Sequence, residues 1–191
     1  AAAVEEFVGP LVRPGRLNSL AQTLLKLTAP GVPDIYQGCE LWDSSLVDPD
    51  NRRPVDFERR RRLLAELEGL APEPIMARLD EGLPKLGLIR EALALRGREA
   101  SAFGEGEEGA YRPLPARGAR AAHAVCFSRG GRVVAVAPRL VLALESSGWE
   151  DTTLALPPGG WTNALGGGSF EGDVQLADLL AVVPVALLSA R

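Results

Sequence analysis

Apolar residues at Leu17, Leu20, Ala21, Leu24 and Leu25 recur at helical spacing. This pattern predicts a helix over 17–28, with Asn18 or Ser19 as its cap. Ala29, Pro30 and Gly31 stop it. Residues 32–37 then read as a short buried strand ended by Gly38. Pro33 cannot donate to a ladder, so it belongs at the strand's first turn or on an edge. From 39 to 55 the periodicity disappears. A connection that long without regular structure is usually functional or disordered, and this one holds too much Leu41, Trp42, Leu46 and Val47 for a solvated tail. Asp56 starts a second helix over 57–68, and Gly69 is placed to close it. A third helix is predicted over 84–96, with Leu86, Ile89, Leu93 and Ala94 as its stripe and Gly97 as its end. Helix, strand, long loop, helix, helix is the order of an α/β unit with a parallel strand.

The pattern changes near residue 98. Residues 101–109 are small, acidic and glycine-rich, with Glu105, Glu107 and Glu108. They read as an exposed linker or turn within 99–110. Beyond it, short strands alternate with turns. Residues 122–127 and 132–137 make a hairpin candidate around Arg129, Gly130 and Gly131. Residues 152–156, 161–164 and 182–188 are further strands, and 139–146 fits strand or helix equally. The fold expected is α+β: an N-terminal helical piece over 1–98, a linker over 99–110 and an all-β antiparallel sandwich over 111–191.

Composition narrows the partners. The 191 residues are 46% hydrophobic and 24% charged, the average for globular proteins, so wholesale disorder is excluded. The longest apolar run, 179–188, contains Pro184 and falls short of the roughly 20 residues a membrane span needs. The net charge of −4 argues against a nucleic-acid partner. Two cysteines, Cys39 and Cys126, make no disulfide framework, and a cytoplasmic setting is expected. The chain opens on Ala1 rather than Met, which suggests a piece of something longer.

Generic catalytic templates fail. His123 is the single histidine, on an expected apolar strand, with no Ser or Cys spaced to form a nucleophile site with it. No zinc spacing and no phosphate-binding glycine loop occur. Residues 48–51 (D-P-D-N) invite a calcium reading. However, Arg53 and Arg59 stand where an EF-hand needs Gly and Glu. No metal and no cofactor are expected. The arginine run 59–62 reads as a solvated helix face that pairs with Glu58, Glu66 and Glu68.

The segment 36–56 is different. Tyr36, Gln37, Glu40, Trp42, Asp43, Asp48, Asp50, Asn51, Arg52, Arg53 and Asp56 crowd into it. Planar amides, carboxylates, guanidiniums and an indole suit sugar hydroxyls and sugar ring faces. The same charges could equally cross-link a long loop.

The strings N-S-L-A-Q-T-L-L-K-L-T-A-P-G-V-P-D-I-Y-Q-G at 18–38, E-L-W-D at 40–43 and L-V-D-P-D-N-R-R-P-V-D at 46–56 closely resemble the maltooligosyl trehalose synthase family. That family is a branch of the α-amylase superfamily of glycoside hydrolases. Y-R-P-L at 111–114, the His123 region, V-A-P-R-L at 136–140 and P-V-A-L-L at 184–188 resemble its C-terminal β-domain. The resemblance implies that 1–98 is the last unit of a (β/α)8 barrel, with strand eight at 32–37. It implies a glucosylmutase, an isomerase of trehalose biosynthesis. Such an enzyme converts the reducing-end α-1,4 linkage of a maltooligosaccharide into an α,α-1,1 linkage. The family's nucleophile, acid/base and stabilising carboxylates lie on earlier strands, and none matches a residue here. The partners implied are the maltooligosaccharide and the missing N-terminal barrel portion. Tyr36, Gln37, Trp42, Asp50, Asn51, Arg52 and Arg53 become candidate substrate-positioning residues, and no residue is expected to be catalytic. Two other readings remain. One is a glucan-binding or buttressing β-sandwich with Trp149 and Trp161 as platforms. The other is a piece of a trehalose-releasing hydrolase.

Overall fold

The computed structural model describes residues 2–191. Helix α1 runs over Ala2–Thr28, well beyond the expected start. Asn18 and Ser19 are therefore interior residues rather than caps, and Pro10 and Pro14 lie inside the helix. All side chains from Ala2 to Arg13 are exposed, whereas Leu17, Leu20, Leu24 and Leu27 form the buried stripe. Helix α2 (Phe57–Glu66) starts at Asp56, whose carboxylate accepts from the Arg59 backbone N–H at 2.8 Å. Gly69 beyond it adopts the left-handed conformation expected there. A short α3 (Pro72–Ala77) opens on Pro72 and precedes α4 (Leu83–Arg98).

The strand expected at 32–37 does not form. Residues 32–36 carry no regular structure, and Val32 is 96% exposed. A strand needs a neighbour for its N–H and C=O groups, and no strand among the described residues lies beside this segment.

The second half holds β1 (Tyr111–Pro113), β2 (Ala124–Arg129), β3 (Val133–Pro138), α5 (Val141–Ser147), β4 (Thr153–Ala155), β5 (Trp161–Asn163), β6 (Ser169–Phe170), β7 (Asp173–Gln175), α6 (Leu176–Leu179) and β8 (Ala186–Ala190). Helices α5 and α6 correct the all-β expectation, and 139–146 resolves as helix from Val141 onward. Six strands form one antiparallel sheet in the order β1-β2-β3-β8-β5-β6, and β4 pairs with β7 in a second. The β2–β3 hairpin closes through Gly130 and Gly131, both at positive φ, with Arg129 opposite Val133.

The pleat of β3 assigns the two cores. Val133, Ala135 and Ala137 face α1 and α4, meeting Leu20, Leu24, Leu27, Leu88, Ile89 and Leu95. Val134 and Val136 face the other way, meeting Leu154, Trp161, Val174, Leu176 and Leu179. This is the period-2 alternation of a sheet covered on both sides. The chain is thus α+β, with helices, a six-stranded sheet and a small two-stranded sheet in layers.

Within 99–110, Ser101 and 104–108 are exposed, but the segment is anchored at Ala102 and Gly109. It forms short 3-10 turns over Ala100–Phe103 and Glu107–Gly109, and Ala102 is fully buried. Arg129, itself buried, donates to Gly109 O at 3.1 Å and to Thr28 O at 2.9 Å. Arg96 donates to Leu27 O at 2.8 Å and stacks 4.5 Å from the Phe103 ring. The helical and β halves consequently share one core.

Candidate functional site: a polar cleft on the 36–56 loop

Three anchors shape the loop. Leu41 inserts between Leu63, Leu67, Leu83 and Leu86, tying the loop to α2 and α4. Lys85 Nζ donates to Leu41 O at 3.0 Å, and Trp42 Nε1 donates to Leu79 O at 2.5 Å. Gly82 at φ +83° lies so close beneath that a Cβ there would stand 3.1 Å from Trp42 N. Gly38 at φ +88° meets Val55 in the same way, where a Cβ would sit 2.8 Å from Cγ2. Both ends of the loop are therefore drawn together.

Between them opens a cleft of about 340 Å³, within the range of roughly 300–1,000 Å³ common for small-molecule sites. Its lining includes Gln37, Trp42, Asp43, Asp50, Asn51 and Arg53. Five of the seven candidate residues thus converge, namely Gln37, Trp42, Asp50, Asn51 and Arg53. The other two do not. Tyr36 is exposed outside the cleft, and Arg52 pairs with Asp48 at 2.8 Å as a loop brace. Asp50 accepts from Leu46 N at 2.8 Å and pairs with Arg53. Arg53 itself remains 77% exposed in its side chain, a guanidinium fork open to solvent.

Asp43 was not among the candidates, yet it is the most heavily hydrogen-bonded carboxylate here. It accepts from the Ser45 hydroxyl, from Ser45 N at 2.9 Å and from the Cys39 thiol at 3.2 Å. The Ser45 hydroxyl leads in lowering its pKa to about 2, followed by the Ser45 amide and the thiol. The Asp-x-Ser spacing of 43–45 is a turn signature that could have found it. Burial, together with the bond to Asp43, pushes the Cys39 thiol up, which makes it a poor nucleophile. Burial lowers Lys85.

Arg60 departs most from expectation. Arg61 and Arg62 pair with Glu58 and Glu66 on the surface as expected. Arg60 instead lines the cleft and pairs with Glu40 at 2.9 Å. Four consecutive arginines look alike in sequence, and only the helix phase of α2 separates them.

Outside the cleft, Trp161 is 1% exposed and donates Nε1 to Pro157 O at 2.9 Å. Trp149 packs against the same core. Trp161 is thus too buried to serve as a sugar platform, whereas Trp149 is half-buried. His123 lies in a short 3-10 turn rather than in a strand. Among the described residues no cluster of three or more His, Cys, Asp or Glu is arranged to hold a metal, and no helix is long and apolar enough to cross a membrane.

No family model matches the chain. It is 43% identical over 171 residues to a Mycobacterium tuberculosis protein named as a maltooligosyl trehalose synthase, a match that covers 90% of this chain and 20% of that protein. The structure of maltooligosyltrehalose synthase from Arthrobacter ramosus superposes with a TM-score of 0.88 at 43% identity, covering 98% of this chain and 24% of that one. A Sulfolobus tokodaii structure titled as a hypothetical maltooligosyl trehalose synthase gives 0.71 at 27% identity, covering 100% and 22%. The chain therefore spans about a fifth of the length of the curated relatives it matches. In sequence and in fold it is homologous to the maltooligosyl trehalose synthases and corresponds to the C-terminal part of their structures.

Proposed function

We propose that this chain forms the C-terminal portion of an enzyme that converts the reducing-end α-1,4 linkage of maltooligosaccharides into an α,α-1,1 linkage. Residues 1–98 supply the end of a (β/α)8 barrel, 99–110 the connection and 111–191 a C-terminal β-sandwich domain. The small β4–β7 sheet lying on the six-stranded one supports the sandwich reading. The observation that carries the functional reading is the convergence of Gln37, Trp42, Asp50, Asn51 and Arg53 on one polar cleft, in a chain so similar to those synthases. The free thiols of Cys39 and Cys126 support a reducing, cytoplasmic compartment.

The cleft residues bind and orient. Trp42 has its N–H committed to Leu79 and its ring half-buried against the core, and the part of the ring that lines the cleft offers an apolar surface to a sugar. Arg53 offers a planar fork to a diol. Asp43 and Asp50 accept from hydroxyls, and Gln37 and Asn51 both donate and accept. The nucleophilic carboxylate and the acid/base come from the portion not present here. The released glucose must re-attack before water does, so this wall has to keep solvent out.

A chimera tests the reading. This chain replaces its counterpart in the Arthrobacter ramosus enzyme, and maltopentaose is converted. Loss of reducing ends without loss of total sugar is the expected result, while the isolated chain shows none. Arg53→Lys in the chimera should lower kcat/KM at least tenfold, about 1.4 kcal/mol. A chimera that folds but forms no trehalose linkage overturns the proposal.

A further inference from the structure

Arg60 occupies the first turn of α2 and reaches back across the mouth of the loop. Its Nε donates to Glu40 Oε2 at 2.9 Å, Nη1 to Asp56 O at 3.0 Å and Nη2 to Gly38 O. Gly38 and Glu40 open the loop, and Asp56 closes it. Every nitrogen of the guanidinium is engaged, and the side chain is only 17% exposed. Arg53, by contrast, has a single carboxylate partner and stands in solvent.

From this geometry we infer that Arg60 is a positioning residue of the cleft, clamping both ends of the 38–56 loop so that its polar side chains face one bound sugar in a fixed register. Arg60 acts through the loop, because each of its three guanidinium nitrogens already donates to Glu40 or to a backbone carbonyl at the ends of the loop, and the two N–H groups left over sit on a side chain only 17% exposed. Lysine cannot replace it. A lysine carries one charged nitrogen, whereas three acceptors in different directions need the planar fork. The Gly38–Val55 contact closes the same ends sterically but cannot fix the angle of the Gly38 carbonyl.

The role has a chemical consequence if the functional reading above holds. A loosened wall admits water to the glycosyl intermediate. Water then attacks the anomeric carbon in place of the glucose hydroxyl, its proton going to the acid/base as the bond to the nucleophilic carboxylate breaks, and the products are a maltooligosaccharide one unit shorter and a free glucose. The ratio of glucose released to trehalose linkage formed therefore reports on Arg60, whereas a merely structural loss would lower both products together.

Two measurements separate this inference from the proposal beneath it. In the isolated chain, Arg60→Lys should speed amide hydrogen exchange at least tenfold at Cys39, Asp50 and Arg52. These amides hydrogen-bond within the loop, to Tyr36, Val47 and Pro49. Amides of β2 and β3 should not change, and Arg61→Lys should change neither set. Glu40→Gln keeps an acceptor for Nε and should retain most of the protection. Should Arg60→Lys fail to fold, Glu40→Ala removes one arm of the clamp and should raise loop exchange alone. Unchanged loop exchange in a folded Arg60→Lys overturns the inference, whatever the chimera does. In an active chimera, Arg60→Lys should raise the glucose-to-trehalose-linkage ratio at least threefold. Equal loss of both products overturns the clamp as a positioning device and leaves the functional reading standing.

Discussion

Lys85 Nζ hydrogen-bonds the carbonyl of Leu41 at 3.0 Å from inside α4, beneath a loop residue buried among Leu63, Leu67, Leu83 and Leu86. A second contact joins them, since the ammonium also lies 5.9 Å from the centroid of the Trp42 ring. One buried cation thus orients both the anchor and the aromatic wall of the cleft.

Burial lowers the Lys85 pKa from 10.5, so the folded state binds its proton less tightly than the unfolded state. Between the lowered value and 10.5 the unfolded chain carries more protons, and stability rises with pH. Below that window both states are protonated, and the cost of burying the charge is constant. Lys85→Met should remove this rise. The measurement is urea unfolding from pH 7 to 10.5, read as the difference between the two proteins. Parallel curves would show that Lys85 is solvated.

Asp43 behaves in the opposite direction. Its carboxylate is held at about 2 against 3.8, so it favours folding above 3.8, and this contribution is lost as pH falls through 2. The Ser45 hydroxyl is the first cause. Ser45→Ala should move Asp43 upward toward 3.8, read by NMR titration of its side-chain carboxyl carbon. Ser44→Ala, one residue away and unbonded to Asp43, should leave it in place.

How much of this was legible depended on whether the signal was local. Asp56 as cap, Gly69 as terminator and the Gly130–Gly131 turn are set by short-range chemistry, and each stands where the sequence predicts. The cleft residues between Trp42 and Arg53 were visible because their side-chain types crowd together. Long-range partners were not visible. Val32 and Ile35 read as strand because they are apolar and bounded by turn residues, yet pairing requires a neighbour, and no strand among the described residues lies beside them. The extension of α1 back to Ala2 was not expected from the sequence, although Pro10 and Pro14 inside it each remove only one donor from a long helix. Arg60 differs from Arg59 and Arg61 only by about 100° of helix rotation. Glu105, Glu107 and Glu108 made 99–110 look solvated, while Ala102 and Phe103 decided its packing.

Trp161 should be a stability residue and nothing more. It fills the space between β5 and the β4–β7 sheet with its N–H satisfied. Trp161→Ala should cost about 3–5 kcal/mol, a large part of the roughly 5–15 kcal/mol typical of a whole domain. Trp161→Phe keeps most of the ring but orphans the Pro157 carbonyl, a loss of about 1–3 kcal/mol. Guanidinium unfolding measures both. A folded Trp161→Ala of unchanged midpoint that had lost binding to maltooligosaccharide would reinstate a sugar platform there.

Arg129 makes the strongest claim about the chain as a whole. It projects from β2 into the core, away from water, and its partners are not carboxylates. It donates to Thr28 O at the C-terminus of α1 and to Gly109 O in the connecting segment, and its guanidinium lies 5.4 Å from the Phe103 ring. A cation at a helix C-terminus is favoured by the helix dipole. Burial lowers its pKa, with the nearby Arg96 charge adding to the effect, but a guanidinium does not shed its proton in this range. Removing it therefore orphans two carbonyls and opens the seam between α1 and the sheet. Arg129→Met should cost about 2–4 kcal/mol, from roughly 1–3 kcal/mol per unsatisfied buried group less the relief of a buried charge. The loss should appear at both ends of the molecule, because Leu20, Leu24 and Leu27 share a core with Phe127 and Val133. The check is denaturant unfolding followed by Trp42 fluorescence in a variant whose other tryptophans are replaced by phenylalanine, and by far-UV circular dichroism of the same sample. One coincident transition is expected, shifted as a unit by Arg129→Met. Two separated transitions, with only the sheet signal moved by Arg129→Met, would mean that residues 1–98 and 111–191 fold as independent bodies and that the shared core is not cooperative.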